Sequence, residues 1–333
     1  MKETVGKFII QLTGPAVKYR LDILAKVCPE LRHFLICLTN KESYELYKEY
    51  HNFFEFVIMD DYRSEYPISL EYETFPNYKT EDEFFAKVGT FYGSKTNRFY
   101  PYDIHRFIFP YLIENNILNF ATADTDFIVK NDFELLNKFF KSIPEGTMYG
   151  PWHGQDSSSL ELKNKFWKDV QEFFPTIELN APFIRTQDGW MRGFHFKNKE
   201  DMKLLYDIWN KSLDTLFENQ EYRQILVGHN GAVCQTEWVI SYIIQFFEHQ
   251  KKYSYVNCEK LLQVDNMTIG RHYTRVEDTL YLGKREVWNY LNFDYSDVSN
   301  ISNFIKNNKE QLYRYYDGTF KVEVTDTHVY TQF

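Results

Sequence analysis

The chain has 333 residues, enough to bury a sizeable core as one large α/β domain or as two smaller ones. Its formal net charge of -9 and isoelectric point near 5.6, with no long Lys/Arg block, exclude the basic footprint that nucleic acid binding requires. The four cysteines, Cys28, Cys37, Cys234 and Cys258, form no CxxC pair and have no histidine at zinc spacing, so free and mostly buried thiols are expected.

Met1 to Lys7 runs straight into a strand-like segment without a signal peptide's apolar stretch, and no later segment reaches the length of a membrane span. The expectation is a cytoplasmic protein with no transmembrane segment. The 30 Phe and 26 Tyr must supply much of the core, and surplus Tyr and Trp also suit stacking on sugars.

Lys7 to Gly14 reads as a strand closed by Gly14-Pro15, and the apolar spacing Val17, Leu21, Leu24, Cys28 predicts a helix that Pro29 stops. Leu35 to Thr39 is a second strand. Lys41 to His51 is polar and helical, and Phe53 to Met59 is a third strand ending at Asp60-Asp61. Strands alternating with helices at this spacing predict βαβ units and a mostly parallel central sheet flanked by helices. Ligands then belong at the carboxyl ends of the strands, where Gln11, Thr13, Gly14, Asp60 and Asp61 stand. Thr-Gly-Pro is not a G-x-G-x-x-G loop, so dinucleotide binding is unsupported.

Tyr102 to Glu114 carries a helical stripe through Ile104, Phe107, Ile108, Tyr111 and Leu112, with Arg106 beside it and Pro110 bending it. The stretch Asn119 to Val129 follows. An apolar run reads as a buried strand that delivers Asp124 and Asp126 at its end, and a second short apolar run comes directly after. In β geometry residues i and i+2 point to one side, roughly 7 Å apart, so the two carboxylates can share one hard divalent cation such as Mg2+ or Mn2+.

Arg106-x-x-x-Pro110-Tyr-Leu, a spacer, and Asp124-Thr-Asp126-Phe-Ile-Val-Lys-Asn-Asp132-Phe-Glu134-Leu-Leu together resemble the metal-binding region of GT-A fold glycosyltransferases. The closest branch is that of glycogenin and the bacterial lipopolysaccharide galactosyl- and glucosyltransferases. There an arginine helix with a proline precedes a strand ending in D-x-D, and an acidic residue opens the next helix. The match covers Arg106 to Leu136. It departs at Thr122 and Ala123, where the family more often has long aliphatics. The resemblance implies a GT-A, Rossmann-like domain whose nucleotide-sugar-binding half is 1–132 and whose acceptor-binding and catalytic half, with a C-terminal helical extension, is 133–333. It further implies transfer of a sugar from a nucleoside diphosphate donor, UDP-linked by expectation, to a glycan or other hydroxyl acceptor, with Mn2+ or Mg2+ bound by Asp124 and Asp126.

Further along, Phe133 to Phe140 predicts a helix, Pro144 to Ser159 a Gly-rich loop holding Trp152 and His153, and Leu160 to Phe174 an amphipathic helix. Thr176 to Leu179 is strand-like. Gly189 to Asn198 predicts a strand with His195 as an inward core residue, and a long helix then runs through Leu205, Trp209 and Leu213. Gln235-Thr236-Glu237 has the pattern of a helix start, with an apolar helix from Val239 to Phe247.

By the resemblance, Glu237 is either the general base for the acceptor hydroxyl in an inverting enzyme or a sugar-orienting group in a retaining one. In the same way His272, followed by Tyr273, is the third metal ligand, and Arg271 or Arg275 meets the diphosphate. Asp124 and Arg106 complete the catalytic set, while Gln11, Thr13, Gly14, Asp60 and Asp61 hold base and ribose. Val287 to Phe333 reads as a helix followed by a strand over Thr319 to Thr325. Asp124-Thr-Asp126 before an apolar pair also resembles the nucleophile loop of haloacid-dehalogenase-like phosphatases, and the Tyr and Trp surplus equally suits a non-catalytic carbohydrate-binding protein.

Overall fold

The apolar run near the N-terminus forms β1 (Lys7–Leu12), and the next two form β2 (Leu35–Thr39) and β3 (Glu55–Ile58). The computed structural model describes residues 3–12, 21, 24–25, 28–58, 108–123, 127–150, 152–153, 160–178, 186–187, 191–223, 236–264, 267–273, 321–324 and 328–332. For some of these, among them Phe127, Glu237, Arg271, His272 and His328, the description is of the backbone. The remaining strands are β4 (Asn119–Ala123), β5 (Phe127–Val129), β6 (Thr147–Gly150), β7 (Trp152–His153), β8 (Thr186–Gln187), β9 (Met191–His195), β10 (Ser254–Asn257), β11 (Gln263–Val264), β12 (Met267–Thr268), β13 (Gly270–Tyr273), β14 (Lys321–Val324) and β15 (His328–Gln332). The longer helices are α1 (Lys41–Leu46), α2 (Phe133–Ser142), α3 (Leu160–Glu172), α4 (Lys199–Glu218) and α5 (Thr236–Gln250).

Seven strands make the central sheet in the order β10-β6-β9-β4-β1-β2-β3. Every neighbouring pair is parallel except the two that β9 makes, so the sheet is mostly parallel, as the βαβ spacing predicted. Helices cover both faces. The pleat therefore sends alternate residues of one strand into two separate cores. Phe8, Ile10 and Leu12 of β1, Leu35 and Cys37 of β2, and Ala121 and Ala123 of β4 join α2's Leu135, Leu136, Phe139 and Phe140 on one face. Ile9, Ile36, Leu38 and Phe120 lie on the other with Phe166 and Trp167 of α3, Met202, Leu205 and Trp209 of α4, and Ile240, Ile243 and Phe247 of α5. Each such side chain contributes about 1.5–3 kcal/mol on full burial, so this double layer is what fixes the strand order.

The helices start where short polar side chains satisfy their first amides. Asn40 accepts from Ser43 N at 2.8 Å, Asp132 from Leu135 N at 3.0 Å, and Asn198 from Asp201 N at 2.7 Å. Leu21, Leu24 and Cys28 of the expected first helical stripe are buried in the first core, and Pro29 opens the 3-10 turn Pro29–His33.

Two expectations fail. Pro144 to Ser159 is not a plain loop: Thr147 to Gly150 is an inner strand of the central sheet, buried at all four positions. Gly146, at φ 75, makes the turn into it while its amide donates to His195 O at 2.7 Å. Thr176 and Ile177 are turn, not strand, because the amides of Phe174 and Ile177 are satisfied locally by Gln171 O at 2.9 Å and Phe174 O at 3.0 Å. Glu178 is likewise not strand, and Leu179 lies outside the described residues.

A second sheet has the order β14-β15-β13-β5. β5 pairs antiparallel with β13, β13 parallel with β15, and β15 antiparallel with β14. β14 is the strand expected within Thr319 to Thr325. β15, with Val329, Tyr330 and Thr331 at its centre, was not singled out by its pattern. No helix among the described residues is long and apolar enough to cross a membrane, and the described cysteines Cys28, Cys37 and Cys258 are buried and unbridged.

Candidate functional site

β1, β2, β3 and β4 run parallel, so they end on one edge of the central sheet, at Leu12, Thr39, Ile58 and Ala123. The chain lays β2 and β3 to one side of β1 and then returns to place β4 on the other, which makes the edge beside β1 and β4 the crevice where α/β sheets take ligands. The floor there is fixed: Thr39 Oγ1 donates to Leu12 O at 2.5 Å and Asn40 caps α1. Gln11 is half-buried on β1 and paired with Leu38. Thr13, Gly14, Asp60 and Asp61 follow these strand ends in sequence and lie outside the described residues, as do Arg106, Asp124, Asp126 and Arg275.

Asp124, Thr125 and Asp126 are all that joins β4 to β5, and so they join the central sheet to the second one. Both flanks are anchored. Upstream, β4 is buried at every position between β1 and β9, and Thr122 Oγ1 donates to Arg192 O at 3.3 Å. The small residues Thr122 and Ala123 are accommodated in this way. Downstream, Val129 is buried in the first core, Lys130 N donates to Ile269 O at 2.7 Å, Asn131 Oδ1 accepts from Glu30 N at 2.9 Å, and Asp132 caps α2.

The partner of β5 is the strand that carries the late histidine. Gly270 pairs with Val129, Arg271 with Ile128, and His272 with Phe127. The backbone of His272 thus stands opposite the residue that follows Asp126. Among the described residues no group of three His, Cys, Asp or Glu side chains is placed to hold a metal.

Glu237 is the second residue of α5, in its first turn as expected. α5 packs beside β8 and ends where Tyr253 N donates to Phe247 O at 3.1 Å, just before β10 begins. β10 is parallel to β6, so α5 runs back along the sheet for about 22 Å, and its N-terminus lies toward the carboxyl edge. β6 ends on that edge too, at Gly150, and Trp152–His153 pairs with Thr186–Gln187 just beyond it.

His195 is a structural histidine: its Nδ1 meets Ile143 O at 2.6 Å, and its backbone pairs with Asn119, at the far end of β4 from Ala123. Arg192 was under-weighted by its sequence context. It is only 7% exposed and pairs with Thr122, two residues before Asp124, so a guanidinium is buried beside the strand that carries the carboxylates.

No family model matches the chain, and no curated protein matches it. Among solved structures it is similar to mouse xyloside xylosyltransferase 1, at 15% identity and TM-score 0.36 over 76% of this chain and 85% of that one. It is similar to the mannosyltransferase Ktr4p from S. cerevisiae at 11% identity and TM-score 0.38, over 66% of this chain and 62% of that one. The glycosyltransferase GlyE of Streptococcus pneumoniae TIGR4 gives 12% identity and TM-score 0.36 over 92% of this chain. The chain spans 64% of GlyE's length, somewhat under two thirds, as it does for the mannosyltransferase. It is also similar to a solved structure of another activity, the 4-diphosphocytidyl-2C-methyl-D-erythritol synthase of Anaerococcus prevotii DSM 20548, at 11% identity and TM-score 0.30 over 84% of this chain and 96% of that one.

Proposed function

We propose that this protein is a metal-dependent glycosyltransferase that moves a sugar from a nucleoside diphosphate donor, UDP-linked by preference, to a hydroxyl of a glycan or similar acceptor. The observation that carries the reading is the register of β5 on β13. It sets the backbone of His272 opposite Phe127, the residue that follows Asp126 in sequence, and so supports reading the two motifs together. The family that the stretch resembles commonly supplies a late histidine as a metal ligand, and this pairing supports giving that role to His272.

Asp124, Asp126 and His272 would hold the cation, which when bound supplies the positive charge that a leaving nucleoside diphosphate needs. Arg271, on the rung of Ile128, and Arg275 would present guanidinium groups to the diphosphate. Gln11, Thr13, Gly14, Asp60 and Asp61 would line the pocket for base and ribose at the ends of β1 and β3, with Asp124 reaching the ribose as well. Arg106 would lie near the donor. Glu237, delivered to the same edge by α5, would accept the acceptor's proton if configuration inverts or orient the transferred sugar if it is retained.

The test is release of nucleoside diphosphate from a panel of sugar nucleotides with Mn2+, Mg2+ or EDTA. Metal-dependent UDP release is the expected result, reduced about 100-fold or more by Asp126→Asn with no change in melting temperature. Phosphate release without nucleotide would favour the phosphatase reading, and glycan binding with neither would favour the carbohydrate-binding one.

A further inference from the structure

We infer that Lys197 is a positioning residue for α5: with Tyr253 and Asp201 it pins the end of that helix to the start of α4, and so sets how far the opposite end reaches. What that reach does for catalysis rests on the proposed function, because the opposite end carries Glu237. Lys197 lies just past the end of β9 and is exposed, yet its ammonium is turned onto the protein. Its Nζ donates to Lys251 O and to Lys252 O, at 3.0 Å each, and stands 4.7 Å from the centre of the Tyr253 ring. These carbonyls belong to the turn that closes α5, where the helix dipole is negative and the last C=O groups lack partners within the helix. Lys252 completes the cap. It holds φ at 57, a backbone conformation that favours glycine, and its own Nζ donates to His249 O at 2.8 Å.

The same turn is tied to the elements around it. The buried Tyr253 hydroxyl accepts from Lys197 N at 3.0 Å and donates to Asp201 Oδ2 at 2.9 Å, while Lys251 Nζ meets Asp201 Oδ1 at 3.5 Å. Asp201 sits in the first turn of α4, its amide capped by Asn198. Ser254 N donates to Gly146 O at 2.8 Å, and the Lys197 stem lies across Gly146, where an added methyl would come within 2.4 Å of Cε. The end of α5, the start of α4 and the turns into β6 and β10 therefore meet around one ammonium. An α-helix is stiff along its axis because each turn is bonded to the next, so a pin at one end fixes the other end about 22 Å away. The pin stands at the amino edge of the sheet, opposite the candidate site. A neutral side chain in its place could not hold two carbonyls at a negative helix end.

The experiment compares the full wild-type chain with Lys197→Met, which keeps the stem and removes the ammonium, and with Lys197→Arg, which keeps the charge. Hydrogen exchange is followed along the chain, and kinetics are measured with Mn2+ and the sugar nucleotide of the panel that the wild type turns over fastest. Lys197→Met is expected to speed exchange about 10-fold or more at residues 251–253 and along α5 back to Ile240, while β1 and β2 keep wild-type rates. Its kcat should fall about 10- to 100-fold with the donor KM unchanged, and Lys197→Arg should restore both. Faster exchange confined to residues 251–253, or a lower melting temperature with kcat unchanged, makes Lys197 a local helix cap and overturns the inference. Lys197→Gln, neutral but still able to donate one hydrogen bond, gives the same comparison should Lys197→Met fail to fold. A wild type that releases no nucleoside diphosphate removes the sugar-transfer reading alone, and the exchange along α5 then decides whether Lys197 positions the helix.

Discussion

Gly193 is the tightest point of the central sheet. A methyl group placed on it would lie 1.8 Å from Cζ of Tyr149, a ring that is fully buried on the adjacent strand β6. Gly193→Ala should therefore cost about 1–3 kcal/mol in urea unfolding, since neither strand can shift without opening the ladder. The hydroxyl of Tyr149 has no hydrogen-bond partner among the described residues. Tyr149→Phe removes an unsatisfied buried group, so it should be neutral or stabilising. A marked loss of stability in Tyr149→Phe would show that the hydroxyl has a partner after all.

Burial also sets the alkaline limit of the fold. The Cys28 thiol is pushed up from 9.0 to about 12 by burial, against which a backbone hydrogen bond from Val129 acts in the opposite direction. Tyr47 is pushed from 10.0 to about 12, again chiefly by burial, with a hydrogen bond from Ser43 opposing. Both groups hold their protons more tightly folded than unfolded. The stability they contribute is complete below the unfolded values and is lost as pH rises toward about 12. Melting temperature should be flat from about pH 7 to 9 and fall above that, with a smaller fall in Cys28→Ala. A profile flat to pH 11 would contradict this.

At the scale of elements, α2 shows how one residue type can be read in two ways. Asp132 completes the acidic pattern that follows the D-x-D, and the structure uses it as a helix cap: its carboxylate accepts from Leu135 N, and α2 then drives Phe139 and Phe140 into the core against Phe8. Asp132→Ala should cost about 1 kcal/mol in chemical denaturation, and Asp132→Asn much less. An equal loss in both would mean that charge rather than capping matters there.

The same scale shows what could be read beforehand. β1 and β2 were legible because strands covered on both faces carry continuous apolar runs, Phe8 to Ile10 and Leu35 to Leu38, and α4 because its stripe repeats over twenty residues. β6 was not, since Thr147-Met148-Tyr149-Gly150 is short and bounded by glycines, and turn chemistry outweighed a four-residue apolar signal. For the candidate site, the residue types can be read from the sequence and the strand pairing around them cannot. Asp124, Asp126 and His272 announce themselves by chemistry, but the pairing of β5 with β13, and of β13 with β15, depends on which distant strands pack together. No local pattern encodes it.

For the whole molecule, the central sheet and the second sheet divide the work. Four parallel strands bring their carboxyl ends to one edge, and β9 and α5 bring Arg192 and the start of the Glu237 helix toward it. The second sheet adds His272 from outside the central order, joined to it through Asp124-Thr125-Asp126. The chain segment that links the two sheets is thus also the segment that carries the carboxylates. Substitutions there should alter metal and donor binding well before they alter stability, because the anchors lie in β4, Val129 and Asp132 rather than in the link.

The most direct measurement is a crystal soaked with MnCl2 and UDP, with anomalous scattering recorded at the manganese edge. The account predicts one strong peak between the ends of β4 and β13, within bonding distance of Asp126 and His272 and in contact with the diphosphate. A peak elsewhere, or UDP bound at that edge without metal, would contradict it.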